Sequence, residues 1–314
     1  MKGNPILKKE LVLGSRSIKF PIALMCYSGC MALIALVFLA ASGATYRAMD
    51  FEVLTTIFLI LAFLQLALIC IIIPVLTAGS IAGERERQTL DLLLTAPVKS
   101  VTIITGKLLS AMCNIILFVI SSLPAMSIAF LYGGIQWKFL FIFVIAIMVT
   151  AFFCGAVGVW CASLFKKTIL SIVMTLVVEM VFFLGTIAAV AGIYAGKYSM
   201  MLNAAANAPA TAVSSTMTVQ MGWIPAILYL NPAVGFVDAI LHTYTGISFV
   251  HEILGSSSFG AVAPKLVELS AHWYWISFIV TVALGVFFLF LAARRLDAVR
   301  KKEKFQQPVK KKKR

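Results

Sequence analysis

A chain of 314 residues that is 61% hydrophobic and only 12% charged is too apolar for a soluble domain and belongs among membrane proteins. Its net charge of +14 is gathered at a few places, so position carries more meaning than total. The six cysteines, Cys26, Cys30, Cys70, Cys113, Cys154 and Cys161, lie in or beside apolar runs and form no Cys-x-x-Cys pair. That argues against a disulfide framework or a metal site, since buried cysteines commonly behave as small hydrophobes.

Residues 1–20 are basic, with Lys2, Lys8, Lys9, Arg16 and Lys19 against Glu10. The apolar run that follows, 21–42, exceeds the roughly 7 to 15 residues of a secretory-signal core. Ala40-Ala41-Ser42-Gly43-Ala44 offers small residues for cleavage, but an uncleaved first span is the expectation. A membrane helix needs about 20 mostly apolar residues. Five further runs qualify, at 53–77, 103–132, 139–164, 168–195 and 273–293. The expected fold is therefore an all-α membrane protein with six transmembrane helices in a single domain, 1–314. Pro74 predicts a kink near the end of the second span, whereas Pro124 in the third is tolerated, as proline is in membrane helices. Trp137, Trp273 and Trp275 mark one set of helix ends and Trp160 the other, as interfacial anchors do.

The one long polar interruption in the first half is residues 78–97, between spans two and three. Glu84 and Arg87 are three apart and Arg87 and Asp91 four apart, so both pairs meet on a helical surface. Leu90, Leu93 and Leu94 share an apolar stripe that Pro97 ends. The reading is a short amphipathic helix beginning after Gly83, with Glu84 and Glu86 in its first turn, where the helix dipole favours negative charge.

Span five contains Glu179, midway along an otherwise apolar stretch. An ionisable group at that depth costs about 2.5 to 3.5 kcal/mol on insertion scales and usually faces a bundle interior or an aqueous cavity. It reads either as a wall of a substrate path or as a hydrogen-bonded tie between helices. Gly192 and Gly196 form a Gly-x-x-x-Gly, and Gly155 and Gly158 lie on span four; such spacing permits close helix approach and gives weak support for a dimer.

The connection 196–272 is the longest. Its part 203–218 is rich in Ala, Ser, Thr and Asn and reads as flexible and exposed. Residues 223–241 are nearly as apolar as a span but are broken by Pro225, Asn231-Pro232 and Gly235, with Asp238 inside. A broken apolar hairpin entering the outer leaflet fits, because irregular backbone at membrane depth is tolerated where protein or water covers it. The tail 294–314 is basic and ends in Lys310-Lys311-Lys312-Lys313-Arg314. It reads as an orientation signal that meets anionic membrane lipids, with no nucleic-acid module beside it.

The positive-inside rule sets orientation. With the amino terminus in the cytoplasm, residues 1–20, the segment around Arg85 to Lys107, Lys166-Lys167 and the tail hold 22 of the 26 basic residues. Only Arg47, Lys138, Lys197 and Lys265 remain outside. Both termini and residues 78–97 are then cytoplasmic; the uncleaved basic amino terminus and the lack of an Asn-x-Ser/Thr sequon point to the plasma membrane of a bacterium or archaeon.

No Gly-x-x-x-x-Gly-Lys-Ser/Thr occurs. Gly106-Lys107-Leu108 lacks both the earlier glycine and the hydroxyl, so no P-loop nucleotide site is expected in this chain. His242, His251 and His272 lie apart from any ligand spacing, and Gly255-Ser256-Ser257-Ser258-Phe259-Gly260 is not a nucleophile elbow. No catalytic residue, metal or cofactor is assigned.

The run Ser80-Ile81-Ala82-Gly83-Glu84-Arg85-Glu86-Arg87-Gln88-Thr89-Leu90-Asp91-Leu92-Leu93-Leu94, with Pro97 and then Gly106-Lys107-Leu108, resembles the coupling segment of ABC transporter type-2 permeases. The six-span layout and Leu230-Asn231-Pro232 extend the resemblance over most of the chain. It implies a permease subunit of an ATP-driven exporter that pairs with a second permease and docks on a cytoplasmic ATPase, where ATP and Mg would bind. It implies a coupling role for Gly83, Glu84, Arg85, Glu86, Arg87, Thr89, Leu90, Asp91, Leu93 and Leu94, and a re-entrant segment around Pro225, Asn231, Pro232 and Asp238. Two other readings fit the composition: a proton- or sodium-coupled transporter centred on Glu179, and a non-transporting assembly or immunity protein.

Overall fold

The computed structural model describes residues 18–41, 51–86, 88, 100–131, 137–207, 218–256 and 260–306. The described residues form ten α-helices. These are α1 (Lys19–Ala41), α2 (Phe51–Glu86), α3 (Ser100–Leu131), α4 (Trp137–Leu164), α5 (Thr168–Met180), α6 (Thr186–Asn207), α7 (Pro232–Thr245), α8 (Phe249–Gly255), α9 (Pro264–Ser270) and α10 (Trp273–Gln306). A π-helical turn, Val181–Gly185, joins α5 to α6 without a break, so the two form one long span. A 3-10 helix, Ile224–Leu230, precedes α7. The only strands among the described residues, β1 (Gln220–Gly222) and β2 (Ala261–Val262), pair in parallel.

Among the described residues six helices are long and apolar enough to cross a membrane, which agrees with the sequence reading of an all-α membrane protein. Their ends differ from the hydropathy boundaries. The second span does not stop at 77 but runs through Pro74 to Glu86. The fifth continues to Asn207 and the last to Gln306. Hydropathy reports where lipid ends, whereas a helix ends where its backbone hydrogen bonds do. Residues 203–207, expected to be part of a flexible loop, are therefore the last turns of α6.

The chain divides into two compact units. The first comprises residues 1–137, 151–177 and 284–314. In it α1 packs on α3, with the Tyr27 and Phe118 rings edge to face at 5.1 Å. Between α2 and α3, Ser122 donates to Gln65 Oε1 at 2.8 Å, both side chains fully buried. Such interhelical polar contacts hold membrane helices together where hydrophobicity cannot. Ile81, Ile103, Ile104, Leu108, Val159 and Leu296 form its apolar core. Small residues set the spacing of α4: a Cβ on Gly155 would lie 2.6 Å from Leu108, and one on Gly158 would strike the Thr77 hydroxyl.

The second unit comprises residues 138–150 and 178–283. The 3-10 helix and α7 meet at 91° about Asn231, the bend expected of a broken apolar hairpin. Pro225 and Pro232 start the two pieces. Helix α7 lies close to α10, because a side chain on Gly235 would collide with Ser277. Trp273 is fully buried and stacks on Tyr229 at 3.7 Å. It is a packing residue, not the interfacial anchor its position suggests; Trp275, half exposed, is the ring on the surface.

Candidate functional site

The last turn of α2 holds Gly83, Glu84, Arg85 and Glu86. The sequence places Glu84 and Glu86 in the first turn of a new helix, and the structure corrects this: they lie at a helix C-terminus. Negative charge is disfavoured there by the helix dipole, so each carboxylate needs a partner. Glu84 Oε1 accepts from the Lys107 ammonium of α3 at 3.1 Å, and that ammonium also donates to the Ser80 carbonyl at 3.1 Å. Glu86 Oε2 accepts from the Thr168 amide at 3.1 Å and its hydroxyl at 2.6 Å. Thr168 opens α5, so Glu86 supplies anionic charge to that helix N-terminus, where dipole and free amides favour it.

Arg85 points to the other side of the same junction. Its guanidinium donates to the Ser163 carbonyl at 3.3 Å and the Phe165 carbonyl at 3.0 Å. Ser163 lies in the last turn of α4 and Phe165 just beyond it, where the helix's last carbonyls lack intrahelical amides. Three successive side chains of one turn thus reach α3, α4 and α5. The turn closes with the Gln88 amide bonded to the Arg85 carbonyl at 3.1 Å. Gln88 has φ +58°, a left-handed conformation that costs a non-glycine residue of order 1 to 3 kcal/mol.

The rest of the expected coupling segment, Arg87, Thr89, Leu90, Asp91, Leu93, Leu94 and Pro97, lies outside the described residues. Glu179 is buried, 3% exposed, in the last turn of α5. In the second unit Asn231 caps α7, accepting from the Ala233 and Val234 amides at 2.9 and 3.3 Å. Asp238 is fully buried and accepts from the Ser248 hydroxyl at 2.8 Å and the Val250 amide at 3.1 Å. It thereby fixes the start of α8 against α7. His251 Nδ1 lies 2.9 Å from the Val267 carbonyl and 2.8 Å from the Ser270 hydroxyl.

Sequence reasoning missed Lys107 and Thr168 as partners. Lys107 carries a weak signal, a lone cation inside an apolar helix, which should pair with an acid nearby in space. Thr168 carries its own, a hydroxyl residue at a helix start, although here the cap comes from another helix.

The profile of a family described as ABC-2 family transporter protein matches residues 64–298, from within α2 to within α10. No curated protein matches the chain. The family match spans most of the sequence and agrees with six long apolar helices, so the chain belongs to the ABC-2 family of transporter proteins and is a multi-pass membrane permease of an ABC transporter.

Proposed function

We propose that this permease is the membrane subunit of an ATP-driven exporter, working with a separate cytoplasmic ATPase and a second permease subunit. Both termini and the α2–α3 connection face the cytoplasm in this reading, which the distribution of basic residues supports. The carrying observation is the triple tie at the end of α2, through Glu84 to Lys107, Arg85 to Ser163 and Phe165, and Glu86 to Thr168. The tie adjoins the segment that resembles an ATPase-docking helix. A push on that segment would be transmitted to three other helices, α3, α4 and α5.

Roles within the segment then divide. Glu84, Arg85 and Glu86 have partners inside the chain and transmit movement. Arg87, Thr89 and Asp91 make the polar contacts to the ATPase, and Leu90, Leu93 and Leu94 seat the helix on the bundle. Glu179 lines the path or ties helices beside it. Nucleotide and Mg bind in the ATPase.

The test is co-purification of the tagged full chain in mild detergent. A stoichiometric P-loop ATPase is expected, lost in Arg87→Glu with Asp91→Lys and retained in Glu86→Gln. A folded chain that brings no ATPase overturns the reading. Gradient-driven transport through the buried Glu179 would then be tested with Glu179→Gln.

A further inference from the structure

The π turn Val181–Gly185 interrupts the fifth span two residues after Glu179. A π turn accommodates one residue more than an α turn, so a backbone carbonyl is displaced from its ordinary amide and needs another donor. The structure supplies one from the bend of the re-entrant segment. The Asn231 side-chain amide donates to the Phe183 carbonyl at 2.8 Å and to the Thr186 hydroxyl at 2.8 Å. That hydroxyl in turn donates to the Phe182 carbonyl at 2.8 Å.

Asn231 is fully buried, and both ends of its amide are occupied. Its oxygen accepts from the Ala233 and Val234 amides, and its nitrogen holds the π turn. Only a carboxamide offers two donors and a two-lone-pair acceptor on so short a stem. None of the five residues of the turn is buried, and Val181 and Leu184 are more than half exposed.

We propose that this turn is a two-position register element, that Asn231 holds it in the π position, and that release of Asn231 during transport returns it to α geometry. Shifting one residue through a helix turns one flank against the other by about 100° and moves it about 1.5 Å. Glu179 on one flank and Val190 on the other would then change their relative facing. Asn231 acts through these contacts as a positioning residue that couples the start of α7 to the middle of the fifth span. This inference rests on the permease reading for its place in a transport cycle, but the geometry of the staple does not depend on it.

The test uses the full-length chain, with whatever ATPase accompanies it, in phosphatidylethanolamine–phosphatidylglycerol nanodiscs. Nitroxide labels placed one at a time along 168–180 and 186–195, in a cysteine-free background, give the oxygen-accessibility phase of each flank. Asn231→Ser keeps an N-cap for α7 and removes the amide donors. It is expected to change the phase offset between the flanks by about 100° without nucleotide. Deleting Leu184 removes the extra residue, so the flanks should keep their native facing and Asn231→Ser should no longer alter it.

If Asn231→Ser does not insert, Thr186→Val, which removes one acceptor of the amide, must show the same direction of change. An unchanged offset in the variant that inserts overturns the staple. ATP with vanadate is expected to produce the offset change in the wild-type complex; an ATPase-bound complex that shows none overturns the role in transport. Absence of any ATPase overturns the permease–ATPase reading instead, while the nucleotide-free comparison still judges the staple.

Discussion

Removing the charge on Glu84 should destabilise the chain more than removing the charge on Lys107, although the two form one ion pair. The Lys107 side chain is 2% exposed and that of Glu84 21% exposed, with 3.1 Å between the charged atoms. Breaking a buried pair by deleting one partner costs about 3 to 5 kcal/mol when the survivor is left in low dielectric. Glu84→Gln removes the charge opposite a desolvated ammonium, so a loss of about 3 kcal/mol is expected. Lys107→Met leaves the carboxylate of a side chain that is one-fifth exposed, although Oε2 itself is buried, and its cost should be about 1.5 kcal/mol, that of a lost hydrogen bond to a charged group. The double variant should resemble Lys107→Met, giving a coupling energy of about 2 to 3 kcal/mol in a double-mutant cycle. Reversible denaturant unfolding in mixed micelles, followed by tryptophan fluorescence, measures all four corners. Equal single losses that simply add would refute the argument, because they would mean that neither charge depends on the other.

Three further outcomes follow from named contacts. Gly158→Ala should cost about 1 to 3 kcal/mol by overpacking, because its new methyl meets Thr77, whereas Gly192→Ala, with nothing within 4 Å, should stay within about 0.5 kcal/mol of wild type; the same unfolding assay separates them. Asp238→Ala leaves the Ser248 hydroxyl and Val250 amide without their acceptor, at about 1 to 3 kcal/mol, and limited proteolysis should then cut within 246–256 sooner. Gln88→Gly should raise stability by about 1 kcal/mol by relieving the left-handed backbone; an unchanged unfolding midpoint would show that the strain is absent.

Apolar length alone gave the six spans, because lipid demands a minimum run and little else in the chain meets it. What it could not give is the state of the polar continuations. Gly83 followed by charges looks like a helix boundary, yet the backbone runs through it, because Lys107 and Thr168, far away in sequence, supply partners for Glu84 and Glu86. The π turn leaves no trace in a uniformly apolar stretch, since one extra residue shifts a periodicity that is not visible there. Asn231 stood out as a breaker before proline, but its grip on Phe183 and Thr186 depends on tertiary placement. Trp273 was misread because an aromatic at a span end has two physical uses, anchoring in headgroups or filling a core, and only its stacking on Tyr229 decides between them.

The junction at the end of α2 has a consequence for anyone who would build hybrid transporters. A graft that exchanges residues 84–97 alone would import side chains whose correspondents, Lys107, Ser163, Phe165 and Thr168, stay behind in the host. The transplantable module is discontinuous: one helical turn together with the parts of α3, α4 and α5 it grips. Recombination breakpoints that respect that module should yield inserted chimeras, and breakpoints at Gly83 should not.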